Sequence, residues 1–214
     1  VLWCERTKKF VLWCHYENGV DYHDARCAVA SSDYPDHGFV YHGSFNPFGD
    51  MARDCTLFMD GEDAYFAAAS RDNRDLHVWK LTKDFMSVSK LVNNLFQNES
   101  REAPAFFKKD GRYYLLTSYC TGWAPNPGRS AVASSIWGPW KELANPFVGA
   151  DSETSFHSQS TYVLPVPGKP DRFIYMGDRW TPENAIDGRY IWLPIRFEGE
   201  QPVIEWLDEW GIEN

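Results

Sequence analysis

Three polar residues, each placed just before an apolar run, recur along the chain at intervals of about fifty residues. They are Asp54, Glu102 and Gln159. When carboxyl groups share a pocket, one resists ionising beside the other, so one can act as an acid while its neighbour stays charged. Hydrolysis of a glycosidic bond uses such groups: an acid for the leaving oxygen and a partner at the anomeric carbon. The alternative is that all three simply begin strands in solvent.

The segments that follow these residues repeat the same pattern. Residues 54–70, 102–118 and 159–178 each run from the polar residue through an apolar strand and a turn into a second apolar strand. Asp60-Gly61 and Asp110-Gly111 supply two of the turns, because glycine adopts the positive φ that tight hairpins need. A third strand is predicted at 26–32 and 129–135, which are identical at six of seven positions. Aromatic fourth strands are predicted at 39–41 and 139–140.

A four-stranded unit that recurs every fifty or so residues is typical of propeller blades. A β-sandwich is the alternative, but it would not repeat its strand pattern so closely. In a propeller the first strands of the blades line a central channel, so residues 54, 102 and 159 should face one pocket. This register makes residues 1–4 the end of an innermost strand and places Glu5 in a solvated turn. We predict a single domain over residues 1–214, with the first blade and the start of the second missing.

Composition excludes several classes of partner. The formal net charge of −9 disfavours nucleic acid and anionic membranes, and no apolar run is long enough to cross a bilayer. The six histidines lack metal-ligand spacing, so no metal site is predicted. No signal segment is visible. The five cysteines lie mostly in apolar runs and are interpreted as reduced, buried thiols, with a disulfide or metal site as the alternative.

Two motifs resemble those of glycoside hydrolase family 43. The stretch from Asp54 to Phe58 is similar to the family's D-x-x-x-F opening. The stretch that starts at Glu102 and continues through Pro104, Lys108 and Gly111 is similar to its E-x-P-x-x-x-K-x-x-G opening. The resemblance implies an all-β, five-bladed β-propeller, N-terminally incomplete with roughly four blades present, and single-displacement hydrolysis with inversion.

Further co-linear stretches resemble the exo-β-1,3-galactanase branch of that family. They include Thr117-Ser118-x-Cys120-Thr121-Gly122-Trp123-Ala124-Pro125-Asn126, Ser158-Gln159-Ser160-Thr161-Tyr162-Val163 and Met176-Gly177-Asp178-Arg179-Trp180. By this resemblance Glu102 is the acid and Gln159 takes the place of the base. Asp54 suits the role of the modulator, a carboxylate that raises the acid's pKa. The resemblance also implies that Tyr22, Asp54 and Thr121 line the terminal-sugar site, and that the substrate is β-1,3-galactan or a galacto-oligosaccharide.

The branch usually carries a Glu in an E-R-P-K-V motif, of which Val1 resembles the last residue. The resemblance therefore implies that this Glu and the preceding blade lie outside the 214 residues. We expect these residues alone to be weakly active or inactive, and their incomplete edge to permit self-association. We also expect a secreted or extracellular protein without a cofactor, although the wider family leaves an axial calcium or sodium ion open.

Three further side chains have two interpretations each. Trp123 lies in a loop rich in Gly, Pro and Asn, where it is either a sugar-stacking platform or part of the loop's packing. Trp180 has the same alternatives. Arg179 binds sugar hydroxyls or pairs with a neighbouring aspartate. Trp192 and Trp206 are predicted to be core. At the level of function, family 43 activity on arabinosyl or xylosyl substrates and a binding propeller without catalysis remain the alternatives.

Overall fold

The computed structural model describes residues 1–212. These residues form two compact units, Val1–Glu102 and a second unit that begins at Ala103. Apart from three single 3-10 turns, the secondary structure of the described chain is β. None of its helices is long and apolar enough to cross a membrane.

The first unit contains two four-stranded antiparallel sheets, each formed by strands that are consecutive in the chain. The strands of the first sheet are β1 (Leu2–Cys4), β2 (Lys9–Tyr16), β3 (Arg26–Ser32) and β4 (Val40–Phe45). Those of the second are β5 (Cys55–Asp60), β6 (Asp63–Ser70), β7 (Asp75–Leu81) and β8 (Val88–Leu95). The short β1 ends at a turn in which Glu5 is exposed, as predicted. There Glu5 accepts a hydrogen bond from the Trp3 indole.

Aromatic rings on the facing sides of these sheets form the core of the first unit. The ring centroids of Phe66 lie 4.8 Å from those of Trp13 and 5.7 Å from those of Trp79. The Trp13 indole N–H donates to the carbonyl of Phe85 at 2.8 Å, which satisfies its polar atom inside the core. Burial of each such side chain contributes about 1.5–3 kcal/mol.

The second unit also contains two sheets. The strands of the third sheet are β9 (Arg101–Lys109), which begins in the first unit, β10 (Arg112–Tyr119), β11 (Arg129–Ala133) and β12 (Lys141–Leu143). Those of the fourth are β13 (Phe147–Val148), β14 (Gln159–Pro165), β15 (Phe173–Arg179), β16 (Arg189–Glu198) and β17 (Gln201–Glu205). β14 to β17 follow in order, and β13 pairs in parallel with β17.

The core of the second unit lies between these two sheets. Phe107 stacks on Tyr114 with ring centroids 5.1 Å apart and approaches Phe173 at 5.2 Å. Further along the fourth sheet, Phe147 packs edge-on against Phe156 and Tyr175. Each unit thus has its own core between two sheets.

The repeat predicted from sequence is confirmed in its first three strands. Asp110 and Gly111 both have positive φ in the hairpin between β9 and β10, which is the conformation of a type I′ turn. Gly61 supplies the positive φ between β5 and β6. The predicted fourth strand at 139–140 is wrong, because β12 begins at Lys141, after the turn that contains Gly138. The one at 39–41 is confirmed for Val40 and Tyr41.

Two predictions of burial are also wrong. Trp192 and Trp206 are 51% and 40% exposed. In β16 the buried residues are Ile191, Leu193 and Ile195, so strand alternation turns Trp192 to the opposite face. Trp206 lies beyond the end of β17.

The five cysteines are free thiols in the structure, and Cys4 and Cys27 are buried, as predicted. However, Cys14 and Cys120 are exposed. Cys14 follows the buried Trp13 in β2 and therefore faces the other side of the sheet. Cys120 comes just after the end of β10.

Gly128 lies so close to a neighbouring aromatic ring that no residue with a side chain fits at this position. A Cβ atom at this position would lie 2.4 Å from Cε2 of the buried Phe147. We expect Gly128→Ala to lower the free energy of unfolding by about 1–3 kcal/mol, since a tightly packed ring must move. Urea unfolding measures this loss. Adding Phe147→Leu should recover part of it, and a Gly128→Ala protein of wild-type stability would contradict the predicted clash.

Candidate active site

The three residues singled out from sequence occupy equivalent places in their sheets. Glu102 is the second residue of β9, Gln159 the first of β14, and Asp54 immediately precedes β5. Each of these strands is the edge strand of its sheet. Asp54 and Glu102 belong to the first unit and Gln159 to the second.

In the first unit Glu102 is held by a turn between β6 and β7. The Asn73 amide donates to Glu102 Oε1 with an Nδ2–Oε1 distance of 2.5 Å. Arg71, Asp72 and Asn73 all have positive φ, between 51° and 61°, which is a strained conformation for non-glycine residues. Asparagine and aspartate tolerate it better than most residues do. The turn therefore projects Asn73 towards Glu102 at some cost in backbone strain.

The turn is anchored by Asp75, which is fully buried. Its carboxylate accepts from Arg71 at 2.7 Å, from the Asn94 amide at 2.9 Å and from the backbone N–H of Asn98 at 2.9 Å. Burial opposes ionisation, but the hydrogen bonds from Asn98, Asn94 and Arg71 outweigh it and lower the pKa of Asp75. A charged, buried carboxylate thus fixes the turn that carries Asn73.

On its other side the turn is connected to the region around Asp54. Arg53 donates to Asp72 Oδ1 at 3.1 Å and to the carbonyl oxygen of Tyr22 at 2.9 Å. The Tyr22 ring is exposed. Burial, reinforced by the negative charge of Asp54, raises the pKa of the Cys55 thiol to about 12, so this neighbour of Asp54 is chemically inert.

In the second unit a left-handed turn precedes Gln159. Ser155, Phe156 and His157 have φ values of 51°, 57° and 57°. Arg179 donates from Nε and Nη2 to the carbonyl of Phe156 at 2.9 and 2.7 Å. Its guanidinium also lies 4.8 Å from the Trp206 ring centroid. Arg179 therefore braces this turn and pairs with neither neighbouring aspartate that the sequence suggested.

The predicted loop residues are held by Asn126. Its Oδ1 accepts from the N–H of Tyr119, and its Nδ2 donates to the Thr121 hydroxyl at 2.6 Å. Thr121 in turn donates to the carbonyl of Ala124. Trp123, which is 62% exposed, packs edge-on against Trp180, whose indole N–H donates to the Trp123 carbonyl at 3.1 Å. The loop thus presents an exposed indole on a supported backbone.

Gln159 itself contacts a serine that the sequence reasoning did not single out. Its Nε2 donates to Ser118 Oγ at 2.8 Å. Directly across the strand pair lies Asp178, whose pKa is raised by burial. Asn73 is the residue that the motifs missed, and its only sequence signal was a polar type near the end of an apolar strand. Ser118 and Asp178 lie within stretches that resemble the exo-β-1,3-galactanase branch, but the sequence assigned them no catalytic or sugar-binding role.

Residues 4–169 of the chain match the glycosyl hydrolases family 43. The chain therefore belongs to glycosyl hydrolase family 43, which confirms the family predicted from the motifs. A comparison with curated proteins finds no match.

Several solved structures are similar to the chain. A family 43 β-1,3-galactosidase with galactodeoxynojirimycin gives a TM-score of 0.95 at 36% identity, covering 99% of this chain and 75% of that one. An exo-β-1,3-galactanase from Clostridium thermocellum gives 0.88 at 38%, covering 95% and 47%. The enzyme of that type from Phanerochaete chrysosporium, with β-1,3-galactotriose, gives 0.88 at 32%, covering 95% and 46%. This chain thus spans less than half of the last two proteins. The matches confirm the predicted all-β propeller class, with four blade-like sheets in this chain.

The raised pKa of Asp178 predicts how stability depends on pH. The folded protein keeps the Asp178 proton to a higher pH than the unfolded chain does. The contribution of Asp178 to folding stability is therefore full below the unfolded pKa and is lost as pH rises through the folded pKa. Asp178→Asn removes this loss. We therefore expect the variant to gain stability relative to wild type at pH 7 compared with pH 3, as measured by urea unfolding. Asp171→Asn, at an exposed carboxylate, is the control; equal pH dependence in wild type and Asp178→Asn would contradict the burial effect.

Proposed function

We propose that the chain carries the active site of an exo-β-1,3-galactanase, which releases terminal galactose from β-1,3-galactan with inversion. The observation that carries the proposal is the set of acid and amide side chains at equivalent strand openings, in a chain 32–38% identical to β-1,3-galactosidases and exo-β-1,3-galactanases. The reaction uses water and no cofactor.

Glu102 is the proton donor in this proposal. Because Asn73 donates to Oε1, that oxygen acts as an acceptor and the proton is carried by Oε2. Oε2–H then donates to the glycosidic oxygen as the bond to the anomeric carbon breaks. Asp54 is the carboxylate that modulates the acid. Gln159 orients the water that attacks the anomeric carbon from the opposite face.

The aromatic loop supplies a surface for the sugar. The exposed Trp123 indole offers an apolar face of the kind that packs against the C–H groups of galactose. Trp180 supports this indole from the side. The Thr121 hydroxyl already takes part in two hydrogen bonds within its loop, so it contributes to sugar binding with its remaining lone pair. Tyr22 contributes an exposed ring from the first unit.

Glu102→Gln tests the proposal directly. The amide keeps the shape of the side chain but cannot protonate a leaving group, so galactose release from β-1,3-galactotriose should fall at least about 10²-fold. Binding of the trisaccharide, measured by calorimetry, should persist. Glu99→Gln, at a carboxylate that pairs with Arg101, is the control.

Three results would contradict the proposal. Unchanged release in Glu102→Gln would remove Glu102 from catalysis. Wild-type binding without turnover would indicate a carbohydrate-binding propeller. Faster cleavage of aryl arabinosides or xylosides than of aryl galactosides would indicate a different family 43 substrate. The anomeric form of the first galactose released, read by NMR, tests inversion.

Asn73→Ala tests the support of Glu102. Loss of the hydrogen bond to Oε1 removes one of the contacts that hold the carboxyl group in place, and a misplaced catalytic group costs up to about 10²-fold. We expect kcat for galactose release to fall about 10-fold or more while KM changes little. Asn94→Ala, which removes a different amide from the same network, is the control. A larger loss of kcat in Asn94→Ala than in Asn73→Ala would show that turnover depends on the turn as a whole and not on the hydrogen bond between Asn73 and Glu102.

A further inference from the structure

Ser155 joins two parts of the candidate site in the second unit. Its hydroxyl donates to the backbone carbonyl of Asn126 at 2.8 Å, and the residue is 3% exposed. Because a carbonyl oxygen can only accept, Ser155 is the donor in this contact. Asn126 ends the loop that carries Thr121 and Trp123, whereas Ser155 begins the left-handed turn that precedes Gln159.

On the loop side, the carbonyl that accepts from Ser155 belongs to the residue that holds the loop together. The Asn126 side chain accepts from the N–H of Tyr119 and donates to the carbonyl of Tyr119, both at 3.0 Å. It also donates to the Thr121 hydroxyl at 2.6 Å. A hydrogen bond to the backbone of Asn126 therefore restrains the loop as a whole.

On the turn side, Ser155 is fixed to the residue directly before Gln159. The Ser158 hydroxyl donates to the carbonyl of Ser155 at 2.6 Å, and its oxygen lies 2.9 Å from the hydroxyl oxygen of Tyr175, which is fully buried. Since the single hydroxyl proton of Ser158 goes to a carbonyl, the Tyr175 hydroxyl is the donor in the second contact. Ser155 and Gln159 thus lie at the two ends of one closed turn with a buried anchor.

A second route connects the loop with the same turn through the end of β15. The Trp180 indole N–H donates to the carbonyl of Trp123 at 3.1 Å. The adjacent Arg179 donates to the carbonyl of Phe156, within the turn, at 2.9 and 2.7 Å. Loop and turn are therefore attached at two points, and the hydrogen bond from Ser155 is the direct attachment.

We infer that Ser155 is a positioning residue of the hydrolytic reaction, whose hydroxyl holds the sugar-binding loop in a fixed place relative to Gln159. This inference rests on the proposed function, in which Trp123 packs against the sugar and Gln159 orients the attacking water. The water reaches the anomeric carbon only when these two segments are correctly placed against each other. Ser155 is buried and acts through both segments, each of which keeps its own contacts without it. It should therefore affect turnover more than sugar binding.

The test compares two replacements of Ser155 in the full-length protein. Ser155→Ala and Ser155→Gly both remove the hydroxyl, but only glycine also relieves the backbone strain at a φ of 51°. Ser155→Gly should therefore be the more stable of the two in urea unfolding. We nevertheless expect kcat for galactose release to fall about 10-fold or more in both, by factors that agree within about 3-fold. KM should change less than about 3-fold in either variant, because the contacts to the sugar remain.

Asp151→Gly is the matched control, because Asp151 is an exposed residue of the same segment with a φ of 61°. It introduces glycine at positive φ while the hydrogen bond from Ser155 to Asn126 stays in place, so kcat should remain within about 2-fold of wild type. An equal loss of kcat in Asp151→Gly would overturn the inference. So would a kcat within about 3-fold of wild type in both Ser155 variants, or a loss in Ser155→Ala that exceeds the loss in Ser155→Gly in step with its lower stability.

A measurement without turnover separates this inference from the proposed function. The Trp123 indole N–H signal in a ¹H–¹⁵N spectrum is assigned by its disappearance in Trp123→Phe. Without any sugar present, this signal should shift in both Ser155 variants and stay in place in Asp151→Gly. An inactive wild-type protein with these shifts would contradict the proposed function and support the link between loop and turn. An active wild-type protein without them would contradict the inference alone.

Discussion

Two short left-handed turns lie next to the candidate catalytic residues Glu102 and Gln159, one turn in each unit, and the protein must stabilise both against backbone strain. In the first unit the turn at Arg71, Asp72 and Asn73 presents an amide to Glu102. In the second unit the turn at 155–157 leads directly into Gln159. Non-glycine residues in this conformation are destabilising, so each turn persists only because surrounding contacts determine it. Both turns are held by charged side chains, one by the buried Asp75 and one by Arg179.

The two anchors work in different ways. Asp75 is a buried anion that accepts hydrogen bonds from Arg71 and from the backbone N–H of Asn98. Replacing it would be costly in stability, because buried donors would lose their acceptor. Arg179 is a cation that donates twice to one carbonyl and rests on an indole. Its role explains why an arginine next to a strand end need not contact substrate. Charge in this protein is thus used to fix backbone, in addition to the catalytic role proposed for Glu102.

The sequence predicts the strands, the Asp-Gly turns and the three strand openings because these follow from local rules of periodicity and turn geometry. The sequence predicts the burial of individual residues less well. A run such as Tyr190-Ile191-Trp192-Leu193 is apolar on both faces, so sequence cannot tell which face is covered. The contacts Asn73–Glu102 and Ser118–Gln159 could not be predicted at all, because they join residues far apart in sequence with no fixed spacing. The partner of Arg179 is a backbone carbonyl, which has no sequence signature.

The pairing of β13 with β17 has a consequence for the order of folding. In the other three sheets every strand pairs with a neighbour in sequence, so each can form as soon as its own segment has left the ribosome. β13 must instead wait for a partner roughly fifty-five residues further on, and closing that loop carries an entropic cost that local hairpins avoid. During synthesis the pairing of β13 with β17 is therefore delayed until Ile204 and Glu205 emerge. The fourth sheet is therefore complete only after the chain has been translated through residue 205.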